Sequence, residues 1–376
     1  MTGTQLTLEQ AAERVFDPEL DARVTAELLA ASRAMAPLEL VTAAGEPNAV
    51  DLSPYLHFIR CQGGAGCWGY STVAVWDIMN EMACPYSPNL SMRLWMMLHR
   101  RRELWETQGG IFSPDGRFHA MTNPEYGFLQ SFGNTTEGTE RTLHQCPSLW
   151  PDGGWSDEGV DEAANYRLAS KPQPITVSSA AFVKALAAGK PFRLNISGSS
   201  WSHWVAVVGY DKTAQTFAYV NSSGDKWGKG GFASYSFAEV DAGHAGNVAI
   251  DAAETFAIHP PRPVPAVRIA LTHTNRANVV LGLSIEDSPH PPRQIWPQDW
   301  DENSANLRLT VRLPQELVWP PTSRSRILLD VFDTGQFTQS GGTLTEFTAA
   351  FGGHVLTSGD VPIAFKPRQH LRLALC

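Results

Sequence analysis

Three side chains in this sequence, Cys67, His203 and Asn221, could together carry out nucleophilic acyl transfer. Cys67 follows the small-residue segment "QGGAG" and begins the apolar run "CWGYSTVAVW", a pattern typical of a helix that starts at the cysteine. The unpaired N–H groups and partial positive charge of a helix N-terminus stabilise a thiolate and lower the pKa of the thiol. This chemistry requires a thiolate, an imidazole that takes up and gives back its proton, and a group that orients the imidazole.

Each of these residues on its own also has a structural explanation. A cysteine at the start of a helix can be an inert buried thiol, and a histidine beside an apolar strand can be a hydrogen-bonded structural residue. An asparagine before "SSG" is a common turn former. Their order, with the histidine and asparagine roughly 130–150 residues after the cysteine, favours the catalytic interpretation.

The three segments resemble those of the papain-like cysteine peptidases. The nucleophile helix of that family begins Cys-Trp-Ala-Phe-Ser, and here the sequence from Cys67 is "CWGYS". The family's asparagine motif, Asn-Ser-Trp-Gly-x-x-Trp-Gly-x-x-Gly-Tyr, corresponds to "NSSGDKWGKGGF" from Asn221. Its histidine begins an apolar strand ending Val-Gly-Tyr, as His203 to Tyr210 does. The resemblance covers residues 48–259 and implies an α+β catalytic domain with a helical lobe and a β lobe.

The resemblance also implies a role for each site residue. Cys67 is expected to be the nucleophile, His203 its imidazolium partner, and Asn221 the acceptor that orients the imidazole. The side chain of Gln62 and the backbone N–H of Cys67 are expected to form the oxyanion hole. Substrate contacts are expected from a Gly-Gly edge that pairs with an extended peptide and from residues beside the triad, namely Gln108, Gly109, Gly110, Trp68, Trp201 and Ser202. No metal or other cofactor is expected.

The sequence departs from the family pattern in three ways. Gln62 precedes the nucleophile by one position fewer than is usual in the family, and both cysteines of the family's disulfide beside the nucleophile are absent. Ser223 replaces the tryptophan that normally shields the His–Asn hydrogen bond. That bond should therefore be more hydrated, unless Trp201 or Trp204 takes over the shielding.

The sequence predicts three regions along the chain. Residues 1–47, rich in Ala, Leu and Glu, are expected to form a helical arm that packs on the protein or, alternatively, inhibits the cleft, and residues 48–259 the catalytic domain. Within that domain, "AAFVKALAAG" is expected to form a helix, and "WVAVVGYD" and "TFAYVNSSG" two strands joined by the turn Lys212–Gln215. The proline-rich linker "HPPRPVP" begins at His259, and residues 260–376 are expected to form an antiparallel β-sandwich. Bracing of the catalytic domain is the favoured role for this sandwich, and recruitment of substrate or binding of carbohydrate are the alternatives. The expected strands are the short runs "VRIALTH", "NVVLGLSI", "NLRLTVRLP", "RILLDVFD", "FTAAF", "VPIAF" and "LRLAL".

Composition limits the partners of the protein. A net charge of −9 and a pI of about 5.7 argue against a nucleic-acid-binding surface. The sequence contains no uninterrupted apolar run long enough to predict a membrane helix, and its N-terminus lacks the pattern of a secretory signal. The five cysteines match no zinc-binding spacing and are expected to be free thiols, with a disulfide between Cys84 and Cys146 as the alternative. We therefore expect a cytoplasmic monomer that acts on a peptide or protein.

These features predict thiol-dependent hydrolysis of peptide bonds through an acyl-enzyme thioester. The same triad could instead serve an acyltransferase, transamidase or cyclase, if an amine rather than water accepts the acyl group. A third possibility is a pseudo-peptidase that only binds peptides. The presence of Cys67, His203, Asn221 and Gln62 together argues against that possibility.

Overall fold

The structure is a computed structural model that describes residues 45–62, 67–90, 165–170, 172–286, 293–295, 305–313, 326–351 and 353–375. The helical arm predicted for residues 1–47 lies almost wholly outside the described residues. The predicted substrate edge Gln108–Gly110 also lies outside them. Within the described residues, no helix is both long enough and apolar enough to cross a membrane.

The described part of the chain contains three α-helices, α1 (Cys67–Ala83), α2 (Ser179–Ala187) and α3 (Phe237–Ala242). Helix α1 is buried over most of its length, which matches its largely apolar sequence. Helix α2 is the helix predicted from "AAFVKALAAG"; the Ser178 hydroxyl accepts a hydrogen bond from its first turn, and Gly189, with φ of 68°, follows its end. Helix α3 begins with a capping box between Ser236 and Glu239.

A large antiparallel sheet packs against α1. Its strands run in the order β2-β8-β3-β4-β5-β6, with β1 beside β4 and β7 beside β8. Strands β4 and β5 and the turn between them agree with the sequence prediction. The bounds are β1 (Ala49–Asp51), β2 (Gln173–Ile175), β3 (Phe192–Ser197), β4 (Ser202–Asp211), β5 (Thr216–Val220), β6 (Phe232–Ser236), β7 (His244–Ala245) and β8 (Val248–Thr255).

Two smaller antiparallel sheets follow, with the orders β11-β10-β13-β17 and β12-β9-β14-β15, and β16 pairs with β14. Buried side chains from both sheets belong to one apolar core. Each of the seven predicted runs contains a strand; β11 and β15 were not predicted. The bounds are β9 (Ala266–His273), β10 (Val279–Ile285), β11 (Arg293–Ile295), β12 (Asn306–Arg312), β13 (Ile327–Asp333), β14 (Gly342–Phe351), β15 (His354–Thr357), β16 (Ile363–Phe365) and β17 (His370–Leu375).

The two halves of the chain are joined by buried polar contacts. Arg268 of β9 donates to Glu81 of α1 at 2.8 Å, and both side chains are buried. The backbone N–H of Asn89 donates to the carbonyl of Thr310 at 2.9 Å, and the N–H of Thr310 returns a bond to Asn89 Oδ1 at 2.8 Å. The Asp225 carboxylate accepts two backbone N–H groups at the start of β12. The C-terminal sheets are therefore packed directly onto the helix and loops of the first half.

Candidate active site

The predicted nucleophile lies at the junction of the main helix and the large sheet. Cys67 is the first residue of α1 and is 3% exposed. Helix α1 packs against strands β3 and β4. The strand that carries His203 is thus a direct neighbour of the helix that begins at Cys67.

His203 and Asn221 are brought together by the pairing of β4 with β5. His203 is the second residue of β4, and Asn221 directly follows β5. The imidazole Nε2 lies 2.7 Å from Asn221 Oδ1. The backbone N–H of Ser222 donates to the same oxygen at 2.8 Å, so Nε2 carries the proton and donates it to Asn221.

Two opposing effects act on the His203 imidazole. Burial lowers its pKa below the usual value because the low-dielectric surroundings disfavour the charged ring, and the hydrogen bond to Asn221 acts in the opposite direction. Burial is the larger effect. Asn221 therefore both orients the ring and partly restores its ability to hold a second proton.

A tight loop fixes the backbone of Asn221. Its N–H donates to the carbonyl of Gly231 at 2.9 Å, and the Gly231 N–H donates to Trp227 O at 2.7 Å. Gly231 has φ of 91°, and a Cβ at this position would lie 2.5 Å from Cγ2 of Ile59. Only glycine fits here, which explains the "GKGGF" segment that follows the asparagine.

Gln62 is held against the same loop. Its backbone N–H donates to the carbonyl of Ser222 at 2.7 Å, and the Ser222 hydroxyl donates a short hydrogen bond to Gln62 Oε1. The Gly224 N–H donates to the carbonyl of Arg60 at 3.0 Å. These contacts bring Gln62 next to the residue that follows Asn221, and the bond to Oε1 fixes the orientation of its amide. Ser222 was not among the site residues predicted from the sequence.

A buried ion pair of the large sheet, which also contacts helix α1, was not predicted from the sequence. Arg193 of β3 is fully buried and donates from Nε and Nη2 to the Glu254 carboxylate. Its Nη1 donates to Thr72 Oγ1 at 3.1 Å and lies 3.5 Å from the carbonyl of Trp68, and its guanidinium stacks on the ring of Trp204 at 4.4 Å. Arg193 thus contacts the residue after Cys67 and the residue after His203. An arginine inside the strand segment "FRLNI" was the only sequence signal of this pair.

A second buried ion pair attaches the segment before Gln62 to α1. Arg60 Nη2 donates to Asp77 Oδ2 at 2.9 Å and to the carbonyl of Leu90 at 2.7 Å. The Leu90 N–H donates to Asp77 Oδ1 at 2.8 Å. Burial raises the pKa of Asp77, and the Arg60 charge acts against that rise. The pair anchors the segment that leads to Gln62.

The other predicted substrate residues differ in exposure. The indole of Trp68 is buried in the core, whereas Trp201 is 47% exposed, and its ring lies against Gly198 at the turn before β4. The Ser202 side chain exchanges hydrogen bonds with Asn195. Trp204 lines the same small cavity as Asn221, and Asn221 itself is 9% exposed.

No cluster of His, Cys, Asp or Glu in the described ranges is arranged to hold a metal ion. Cys61, Cys67 and Cys84 are buried thiols that form no disulfide. Burial, and secondly the nearby Glu81 charge, raises the pKa of Cys84. Cys84 is thus a poor nucleophile and is not a competitor of Cys67.

Comparisons with known proteins point to cysteine peptidases. The sequence model of a family described as "Peptidase_C39 like family" matches residues 121–244. This segment includes His203 and Asn221 but begins after Cys67. No curated protein matches the chain.

One solved structure to which this chain is similar is xylellain, a cysteine protease from Xylella fastidiosa, at 19% identity and a TM-score of 0.41. The match covers 59% of this chain and 91% of that chain. Another is the digestive procathepsin L 3 of Tenebrio molitor larval midgut, at 17% identity and a TM-score of 0.40, covering 62% of this chain and 79% of the other. The bromelain protease from Ananas comosus has 14% identity and a TM-score of 0.38, with coverages of 57% and 100%. In its motifs and in the family that it matches, this chain resembles the papain-like cysteine peptidases.

Proposed function

We propose that this protein is a thiol peptidase that hydrolyses peptide bonds through an acyl-enzyme thioester on Cys67. The observation that carries the proposal is the 2.7 Å hydrogen bond from His203 Nε2 to Asn221 Oδ1, on strands of the sheet that packs on the helix beginning at Cys67. With Nε2 committed to Asn221, Nδ1 is the ring nitrogen that can exchange a proton with the thiol.

In the proposed reaction, the Cys67 thiolate attacks the carbonyl carbon of the scissile peptide bond. The carbonyl oxygen becomes an oxyanion, stabilised by the side-chain amide of Gln62 and the backbone N–H of Cys67. The C–N bond then breaks as His203 Nδ1 gives its proton to the leaving amine, which leaves a thioester. Water attacks the thioester and gives a proton to His203, and the C–S bond breaks to release a carboxylic acid and restore the thiolate.

Substrate binding belongs to the same proposal. Trp201 supports it as an exposed aromatic surface two residues before His203, and Ser202 lies between them. Gln108, Gly109 and Gly110 are proposed to pair with the backbone of an extended peptide.

The division of the chain is proposed in the same way. Residues 48–259 are proposed to form a two-lobe catalytic domain, and residues 260–376 a β-sandwich. The two C-terminal sheets with a common core support the second assignment.

The test is mass spectrometry of a diverse peptide library incubated with the wild-type protein and with Cys67→Ala under reducing conditions. We expect new peptide ends that are absent with Cys67→Ala. Joined or cyclised products would show that the reaction is acyl transfer to an amine and not hydrolysis. If the wild type gives no product, and iodoacetamide alkylates Cys67 no faster than a free thiol, the proposal is wrong.

A further inference from the structure

The segment Phe58–Gln62, here called the oxyanion segment, crosses from the C-terminal core to the candidate active site. Phe58 lies near the start of the catalytic half in sequence, yet its side chain is 1% exposed and belongs to the apolar core formed by the two C-terminal sheets. Gln62, four residues later, bonds to the loop that follows Asn221. One short segment thus has one end in each half of the protein.

The ring of Phe58 lies close to two arginines, one from each half. The guanidinium carbon of Arg60 lies 5.0 Å from the ring centroid, and that of Arg276 lies 5.2 Å from it. Arg276 is 1% exposed and donates from Nη1 to the carbonyl of Asn306 at 3.0 Å, so it belongs to the C-terminal framework. Phe58 is therefore held by apolar packing and by cation–π contacts.

Arg60 transmits this anchoring toward Gln62. Its guanidinium is bound to Asp77 of α1, and its carbonyl accepts the N–H of Gly224. Gln62 then bonds through its backbone and its side-chain oxygen to Ser222. Phe58 is thus fixed to the C-terminal core, Arg60 to helix α1, and Gln62 to the loop after Asn221.

We infer that Phe58 is a positioning residue, which holds Gln62 at the oxyanion hole because its ring is anchored in the C-terminal core. The inference rests on the proposed function for the catalytic role of Gln62. Loss of the Phe58 ring leaves a void at the end of the segment that lies in the C-terminal core, so Gln62 can move away from the position in which its amide meets the oxyanion. The reactivity of Cys67 toward a small alkylating agent requires no oxyanion hole and should remain.

The experiment compares Phe58→Ala with Phe347→Ala in the full chain. Phe347 is also a fully buried phenylalanine of the same core, on β14, and no contact described above joins it to the oxyanion segment. For each folded variant we would measure kcat and KM on the best library peptide, inhibition by the corresponding peptide aldehyde, and the rate of Cys67 alkylation by iodoacetamide. Gln62→Ala and the double variant Phe58→Ala/Gln62→Ala complete the set.

We expect Phe58→Ala to lower kcat by about 10²-fold, as loss of an oxyanion donor does, and to weaken aldehyde inhibition. The alkylation rate should stay within about twofold of the wild type, because the substitution alters neither Cys67 nor His203, the two residues proposed to pair. The double variant should be no slower than Gln62→Ala alone, because both substitutions act on the same interaction, that of the Gln62 amide with the oxyanion. The Phe347→Ala variant should keep the wild-type kcat. Equal kcat in the two phenylalanine variants, or an equal loss of alkylation and peptidase rates in Phe58→Ala, would overturn the inference.

Hydrogen exchange separates this inference from the proposed function. The amides of Gln62 and Gly224 donate hydrogen bonds within the anchored region, so their exchange should accelerate in Phe58→Ala and not in Phe347→Ala. This result does not depend on activity. Unchanged exchange in Phe58→Ala refutes the anchoring even if the protein is a peptidase, and faster exchange supports it even if no peptide is cleaved. If Phe58→Ala does not fold, Phe58→Leu serves the same comparison with a smaller expected effect.

Discussion

His203 and Asn221 form a hydrogen-bonded pair in which the asparagine oxygen is oriented from two sides. Asn221 Oδ1 accepts one hydrogen bond from His203 Nε2 at 2.7 Å and another from the backbone N–H of Ser222 at 2.8 Å. The amide cannot turn over without losing both bonds, so the histidine tautomer is fixed by the loop and not by the ring itself.

Substitution of Asn221 should change the pH dependence of catalysis. The hydrogen bond to Asn221 raises the His203 pKa, so Asn221→Ala should lower that pKa further. Because the imidazolium is the proton donor, activity would be lost at a lower pH on the alkaline side, and kcat/KM should fall by about 10²-fold. Asn221→Asp keeps the acceptor and adds a negative charge, so its alkaline limb should move to higher pH. The measurement is kcat/KM against pH; identical profiles for the two variants would contradict this role.

The hydroxyl of Ser222 should matter for kcat more than for KM. It donates to Gln62 Oε1, and its removal in Ser222→Ala lets the amide rotate. We expect kcat to fall by about 10-fold, less than the loss of the whole donor, with KM unchanged. Ser222→Thr keeps the hydroxyl and is the control. A rise in KM at constant kcat would instead assign Ser222 to substrate binding.

Removal of Arg193 alone should strongly destabilise the fold. Arg193→Met leaves the Glu254 carboxylate buried without its partner, which costs about 3–5 kcal/mol of unfolding free energy. Arg193→Met/Glu254→Leu removes both charges and should regain most of that loss in urea denaturation at an unchanged m-value.

The same double variant tests whether the pair also positions the nucleophile. The Nη1 contacts from β3 to the first turn of α1 are lost in it, so Cys67 alkylation should slow by about 10-fold despite the recovered stability. A wild-type alkylation rate in the stable double variant would mean that the pair has only a structural role.

His57 should make the protein less stable as the pH falls. Burial, and then the charges of Arg268 and Arg308, lower its pKa from 6.5 to about 3 in the folded state. Between those two values the unfolded chain binds a proton that the folded protein does not, so unfolding becomes easier as pH decreases. This group should remove about 2 kcal/mol of unfolding free energy between pH 7 and pH 5. His57→Gln lacks the titrating ring, so its unfolding free energy should fall by about 2 kcal/mol less than that of the wild type between pH 7 and pH 5. An equal fall in both proteins would show that His57 is not the group responsible.

Much of the local structure was predictable because it depends on local patterns. The helix "AAFVKALAAG" ends just before a glycine, and the apolar run at β4 and the alternating run at β5 are separated by a turn. The order Cys67, His203, Asn221 was also readable, since the neighbours of each residue carry the family's motifs. Such signals act within a few residues, where helix periodicity, strand alternation and the conformations open to glycine operate.

The sequence by itself therefore indicated β4, β5, seven of the C-terminal strands, the main helix and the candidate triad. Only the tertiary structure decided that Phe58 enters the C-terminal core, that Ser222 orients Gln62, and that Arg193 joins Glu254 to the first turn of α1. These contacts join residues far apart in the chain, and no local pattern specifies which distant partner a buried charge or ring will meet. The partner is set by how the sheets pack on the helix, because a buried charge or donor is stable only where that packing supplies its counterpart.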